Sequence, residues 1–301
     1  MLFSRLAEYT RMMADGKQLP PFIYPPCWLD GAARCSAGAE HRCLSGDLET
    51  CSSLIKEVHS ARPELRGAAW QRIVAHLKQV YEEHHEYNEE RTLEAMQAAL
   101  LYGLLGAQQA ASVSYVDVAW VVEMIEAFGH RLFDMTAWDH EVDLAYLSRP
   151  QWVLVESMRR IGCVLYLFDL LLHSNATTPS TGECETFFNM PLPCSRNLWI
   201  AASEAQWQAG YQSVQARRCN QHQLILGELL TFRRSPPSEE PTKITAPGME
   251  EALAEWCEHA DDLSMLLWMA GAVDGDGQAP ALVRGEVDAG AGLHPDGPIF
   301  E

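Results

Sequence analysis

Apolar side chains recur every three or four positions through much of the stretch from residue 67 to residue 173. Trp70, Ile73, Val74, Leu77, Val80 and Tyr81 follow the i, i+3, i+4, i+7 spacing of an amphipathic helix. Residues 90–111 hold MQAALLYGLLGAQQA, apolar on nearly every side, and this predicts a central buried helix. A third run places Val118, Val121, Val122, Ile125 and Leu132 on one side. It follows Ser114, with Asp117 three residues on, where an acid favours the first turn. A fourth carries Trp152, Val155, Ile161, Leu165, Phe168 and Leu172. Pro150 stands near its start, where a missing N–H does no harm. Nothing in the span alternates with period two over a useful length. The pattern predicts an all-α fold, an irregular multi-helix bundle with long loops.

The flanks read differently. Residues 19–28, LPPFIYPPCW, set four prolines among aromatic residues. Proline fixes φ and removes a donor, so residues 1–30 are expected to form an extended lead-in packed along a surface. A helix is predicted over residues 44–61 with Ser45 as its cap. Residues 173–193 read as a polar loop ending in Pro191-Leu192-Pro193, after which a helix restarts at Ser195. In that helix Trp199 and Trp207 would sit about 80° apart around the axis, two core anchors rather than a stacked cage. Residues 233–248 are rich in Pro, Ser and Glu and read as a flexible loop. A last helix is predicted over residues 249–269. The helical domain is thus expected over residues 31–271, with a disordered Gly/Ala/Asp/Pro-rich tail over 272–301.

Charge narrows the range of functions. Against 22 Lys and Arg stand 41 Asp and Glu, a formal net charge of -19. Phosphate backbones need clustered basic residues, so direct nucleic-acid binding by this chain is not expected. No segment reaches the roughly 18 apolar residues that a membrane span requires. The best run, residues 161–172, is interrupted by Asp169 and reads as a buried helix. The first twenty residues lack a long apolar core and a small-residue cleavage site, so an intracellular protein is expected. On that expectation the sequon at Asn175 stays unmodified.

The residues that could carry chemistry form no familiar set. Cys27, Cys35, Cys43 and Cys51 recur every eight residues, but zinc ligands usually come in pairs two to four apart. They read as free thiols on loops and a helix face. Glu82, His85 and Glu86 could share a metal only with ligands from another helix, for which residues 138–143, WDHEVD, are the one obvious source. A solvated charged face is the simpler reading. Gly-rich phosphate loops, nucleophile elbows and zinc-protease motifs are absent from the sequence. No metal, no cofactor and no catalytic residue is therefore assigned.

Four stretches in order do resemble a known family. Residues 19–26, LPPFIYPP, look like the proline-aromatic opening of the regulatory domain of fungal binuclear zinc-cluster transcription factors. Residues 96–108, MQAALLYGLLGAQ, are similar to that domain's central helix. Residues 152–172 resemble its Glu-Ser-x-Arg-Arg helix, here Glu156, Ser157, Arg159 and Arg160, with an apolar run ending near Asp169. Residues 192–207 match its Leu-Pro…Leu-Trp…Trp segment. The resemblance covers roughly residues 19–271. It implies an all-α regulatory domain in the nucleus (or, alternatively, the cytoplasm) that controls a fungal metabolic gene cluster. The partners it implies are the transcription machinery or an intact DNA-binding regulator, with a homodimer and a small-molecule effector as further expectations. The family's DNA-binding cluster needs six cysteines in tight basic spacing beginning Cys-x-x-Cys, and this sequence has no such array. The chain is therefore expected to be either the regulatory part of a larger factor or a relative without that module. The competing expectation is a stand-alone relative recruited to bind a small molecule, or as an enzyme, in fungal secondary metabolism. Its ligand cavity would be lined by Tyr102, Trp120, Arg159, Arg160, Phe168 and Trp199. A local ion pair from Glu156 to Arg159 and Arg160, at i+3 and i+4, is the simpler role for the two arginines.

Overall fold

The computed structural model describes residues 2–29, 35–36, 38–44, 46–109, 115–136, 147–174, 185–218, 223–234 and 248–273. Among these residues the chain is helical, with no strand and a single isolated bridge between Pro191 and Ile225. The all-α expectation is met.

The first helix, α1, spans Leu2–Asp15, where an extended lead-in was expected. Leu2, Leu6, Tyr9 and Met13 recur at helical spacing and are buried, and this periodicity outweighs the prolines further on. Gly16, at φ 69°, ends the helix by bonding its N–H to the Met12 carbonyl at 2.8 Å. The extended strap follows, and it enters the core rather than lying on it: Phe22, Ile23 and Tyr24 are all buried. A single turn, α2 (Pro26–Leu29), closes it.

Next come α3 (Gly46–Ser60), α4 (Arg66–Glu83), α5 (Glu89–Gln108), α6 (Tyr115–Thr136) and α7 (Arg149–Ser174). Asn88 caps α5, accepting the Arg91 N–H at 3.0 Å. Packed against α1, α3, α6 and α7, α5 is buried from Ala95 to Gly106 on all sides, which explains its lack of a polar face. Short turns α8 (Glu185–Phe188) and α9 (Arg196–Trp199) precede α10 (Glu204–Arg218), α11 (Leu226–Arg234), α12 (Met249–Glu258) and α13 (Asp262–Val273).

Two helices predicted as continuous are broken. The one expected to run from Ser195 past Trp207 stops after α9, and the Ser203 hydroxyl accepts the Gln206 N–H at 3.3 Å to start α10. Trp199 and Trp207 therefore lie on different helices, and a single-axis angle does not relate them. They still pack into one cluster: the Trp152 ring lies 6.2 Å from Trp199 and 5.9 Å from Trp207. The last predicted helix is broken at His259–Asp261, and Asp261 starts α13 by accepting the Ser264 N–H at 2.9 Å. Ser45, Ser114, Asn175, the WDHEVD stretch, residues 235–247 and the tail from 274 lie outside the described residues.

Candidate functional site

The centre of α7 carries the densest polar cluster. Glu156 is fully buried, and such a carboxylate is tolerated only with partners on both oxygens. One oxygen accepts from Arg159 at 2.5 Å. The other accepts from Arg160 Nε at 2.9 Å and from the Cys194 N–H at 2.9 Å. Both local ion pairs expected from the spacing are present.

Arg160 reaches further. It is 0 % exposed, and its Nη1 donates to Asp261 at 2.5 Å and to the Pro21 carbonyl at 3.0 Å. Its guanidinium lies 4.1 Å from the centroid of the Trp199 ring. Burial disfavours the Arg160 charge, but Asp261 and Glu156 outweigh it and raise its pKa. Burial likewise pushes the Asp261 carboxyl up, yet Arg160 and two bonds from Ser264 hold it below the usual range. The nearby Cys194 thiol is pushed well up by burial and by the Glu156 charge.

Two further clamps grip the same strap. Gln97, on α5, donates to the Phe22 carbonyl at 2.8 Å. Tyr24 donates its hydroxyl proton to the Ala201 carbonyl at 2.6 Å and accepts from Arg149 at 2.8 Å. Arg149 also donates to the Ala201 carbonyl at 2.6 Å, which fixes the chain where α9 and α10 part. Trp256 donates to the Pro193 carbonyl at 3.0 Å from the other side.

Of the six residues expected to line a cavity, the structure brings Arg159, Arg160 and Trp199 together at this hub. The other three have separate surroundings. Phe168 packs in the main core. Trp120, half-buried, meets the Tyr81 ring edge-on at 6.3 Å. Tyr102 lies 3.0 Å from His76 Nδ1, whose Nε2 faces Asp47 at 3.5 Å. With the proton on Nε2, the imidazole accepts from Tyr102 and turns its N–H side toward Asp47, whose other oxygen faces Arg91 at 3.5 Å.

A second constellation lies where α2 meets the lead-in to α3. Cys27, Cys35, His41 and Cys43 place one donor atom each within 4.8 Å of one another, and such a set could hold a metal ion. Burial lowers the His41 pKa and keeps the ring neutral. Burial and the neighbouring thiols push Cys27 up to about 12. The eight-residue repeat of cysteines is thus not the grouping that forms. Cys51 lies fully buried on α3, its Sγ 3.9 Å from the Ala98 carbonyl, and His41 stands in its place. Glu82, His85 and Glu86 are exposed, as a solvated face should be.

Gln97, Arg149, Asp261 and His41 were not singled out from the sequence. Asp261 had a visible signal, an acid just before an apolar run. His41-x-Cys43 was a tight pair hidden by counting cysteines alone. Gln97, inside an apolar helix, and Arg149, at the first residue of α7, gave none, since neither position announces its partner. Among the described residues no helix is long and apolar enough to cross a membrane. Comparison with family models, curated proteins and solved structures finds no match.

Proposed function

We propose that this chain is a transcription-regulatory domain of the kind found in fungal binuclear zinc-cluster factors, acting through protein contacts and without a DNA-binding module among its described residues. One observation carries the reading. The four stretches that resemble the family, far apart in sequence, meet around α7. The strap is held by Arg160 through Pro21 and by Gln97 of the central helix through Phe22. The Leu-Pro…Leu-Trp segment is held by Glu156 through the Cys194 N–H and by Arg160 against Trp199. A shared network of this kind gives the four motifs a physical reason to occur together. Arg160 spends its donors on carboxylates and carbonyls of the chain itself, and Arg159 pairs with Glu156, which supports a structural role over capture of an anionic effector. The acidic balance of the sequence suits a basic face on a protein partner.

The test is promoter tethering. The whole chain is fused to an unrelated DNA-binding module and a reporter transcript is measured in a fungal cell. The reading expects transcript to rise or fall several-fold against the module alone. An unchanged transcript, with the fusion folded and present in the nucleus, would overturn it.

A further inference from the structure

We propose that Cys27, Cys35, His41 and Cys43 form a structural zinc site that fastens the core-entering strap to the start of α3. The inference is independent of the regulatory reading above. The distances support it. Cys27 Sγ and Cys43 Sγ lie 3.7 and 3.6 Å from the same atom, His41 Nδ1. A tetrahedral zinc ion with Zn–S near 2.3 Å and Zn–N near 2.05 Å separates sulfur from nitrogen by about 3.6 Å. Hydrogen bonding alone explains the arrangement less well. In either tautomer His41 Nδ1 offers one strong bond, as donor or acceptor, yet two sulfurs converge on it with a third alongside, and thiol–thiol bonds are weak. A cation at the centre satisfies all four donors at once. Three thiolates and one neutral imidazole make a closed set with no open position for a substrate, which is the pattern of a structural site.

The placement says what the ion does. Cys27 sits on α2, directly after the strap that Arg160, Gln97 and Arg149 hold. His41 and Cys43 belong to the lead-in of α3, and the His41 N–H is bonded to the Gly16 carbonyl at 2.7 Å, at the end of α1. Zinc therefore closes the loop between the two and ties the α2 end of the strap to the lead-in of α3. Binding displaces thiol protons as the ligands become thiolates, and no oxidant or reductant takes part.

The full chain, purified in reducing buffer without chelator, is assayed for metal by mass spectrometry and reconstituted with cobalt(II) after zinc removal. About one zinc per chain is expected, as is the visible absorption of tetrahedral cobalt with thiolate charge transfer. Cys35→Ser removes the most accessible ligand. It is expected to lose the zinc while keeping its helical circular dichroism, whereas Cys257→Ser, remote from the cluster, keeps both. Chelation of the wild type is expected to lower its melting temperature. Two results would each overturn the proposal. One is a reduced wild type that takes up neither zinc nor cobalt with thiolate bands. The other is a Cys35→Ser chain that binds zinc as tightly as wild type.

Discussion

Replacing Arg160 by methionine separates the hub's charge from its volume. Methionine fills the space of the aliphatic stem and leaves the carboxylates of Glu156 and Asp261 behind. Glu156 is fully buried and keeps Arg159, at 2.5 Å, as a partner. The Asp261 side chain, 11 % exposed, keeps only its bonds from Ser264. Breaking a buried pair by removing one partner costs about 3–5 kcal/mol, since the remaining charge stays desolvated. Because Arg159 spares Glu156, the lower end applies, about 3 kcal/mol. The Trp199 stacking adds roughly 1–2 kcal/mol in a dry site. At about 2–4 °C per kcal/mol for chains of this size class, the melting temperature should fall by about 10 °C. Urea and thermal unfolding, followed by circular dichroism, read the loss. Asp261→Asn should partly rescue Arg160→Met, because it removes the stranded charge and keeps the oxygen that caps α13. A loss under about 1 kcal/mol, or no rescue by Asp261→Asn, would refute the reasoning.

Three other outcomes follow from single contacts. Tyr24→Phe removes the hydroxyl bonded to Ala201 and Arg149, and should cost about 1–3 kcal/mol in urea unfolding. Gly227→Ala would place a Cβ 3.1 Å from the Phe188 carbonyl oxygen, forcing α11 away from α8 at a cost of about 1–3 kcal/mol. Acid should act through Asp261, whose folded pKa is depressed by Arg160 and Ser264 against the upward push of burial. Such a carboxylate stabilises fully above its unfolded pKa, about 3.9, and the gain is lost as pH falls through the lower folded value. The stability gap between wild type and Asp261→Asn should therefore narrow on acidifying below about pH 4, read as urea midpoints across a pH series.

The helical class was legible because it rests on periodicity. The apolar repeat from Trp70 to Val80 and the unbroken apolar face of α5 both survive into the structure. The misread parts are those where a long-range bond decides. Residues 2–15 carry a helical repeat of their own, and the prolines that stiffen the strap begin only at Pro20. The breaks after Trp199 and at Asp261 are set by Tyr24, Arg149 and Arg160, whose partners lie far away along the chain. The local caps Ser203 and Asp261 offer the restarts, but nothing local tells that the preceding helix must stop. The arginine pair was readable at i+3 and i+4 from Glu156, since a helix makes those positions neighbours. Its tertiary partners, Asp261 and the Pro21 carbonyl, were not. The four sulfur and nitrogen donors were all in view as residue types. Their spacing across a turn and a loop departs from the tight pairs of familiar zinc sites, and only the fold brings them together.

The central claim is that the four family-like segments act as one unit, and a double-mutant cycle tests it most directly. Arg160 and Gln97 hold neighbouring carbonyls of the strap, Pro21 and Phe22, from two different helices. Arg160→Met and Gln97→Met are measured singly and together by urea unfolding. A shared unit predicts that the double variant loses at least about 1 kcal/mol less than the sum, because a strap released by one helix gains little from the other. Losses that add within about 0.5 kcal/mol would contradict the claim.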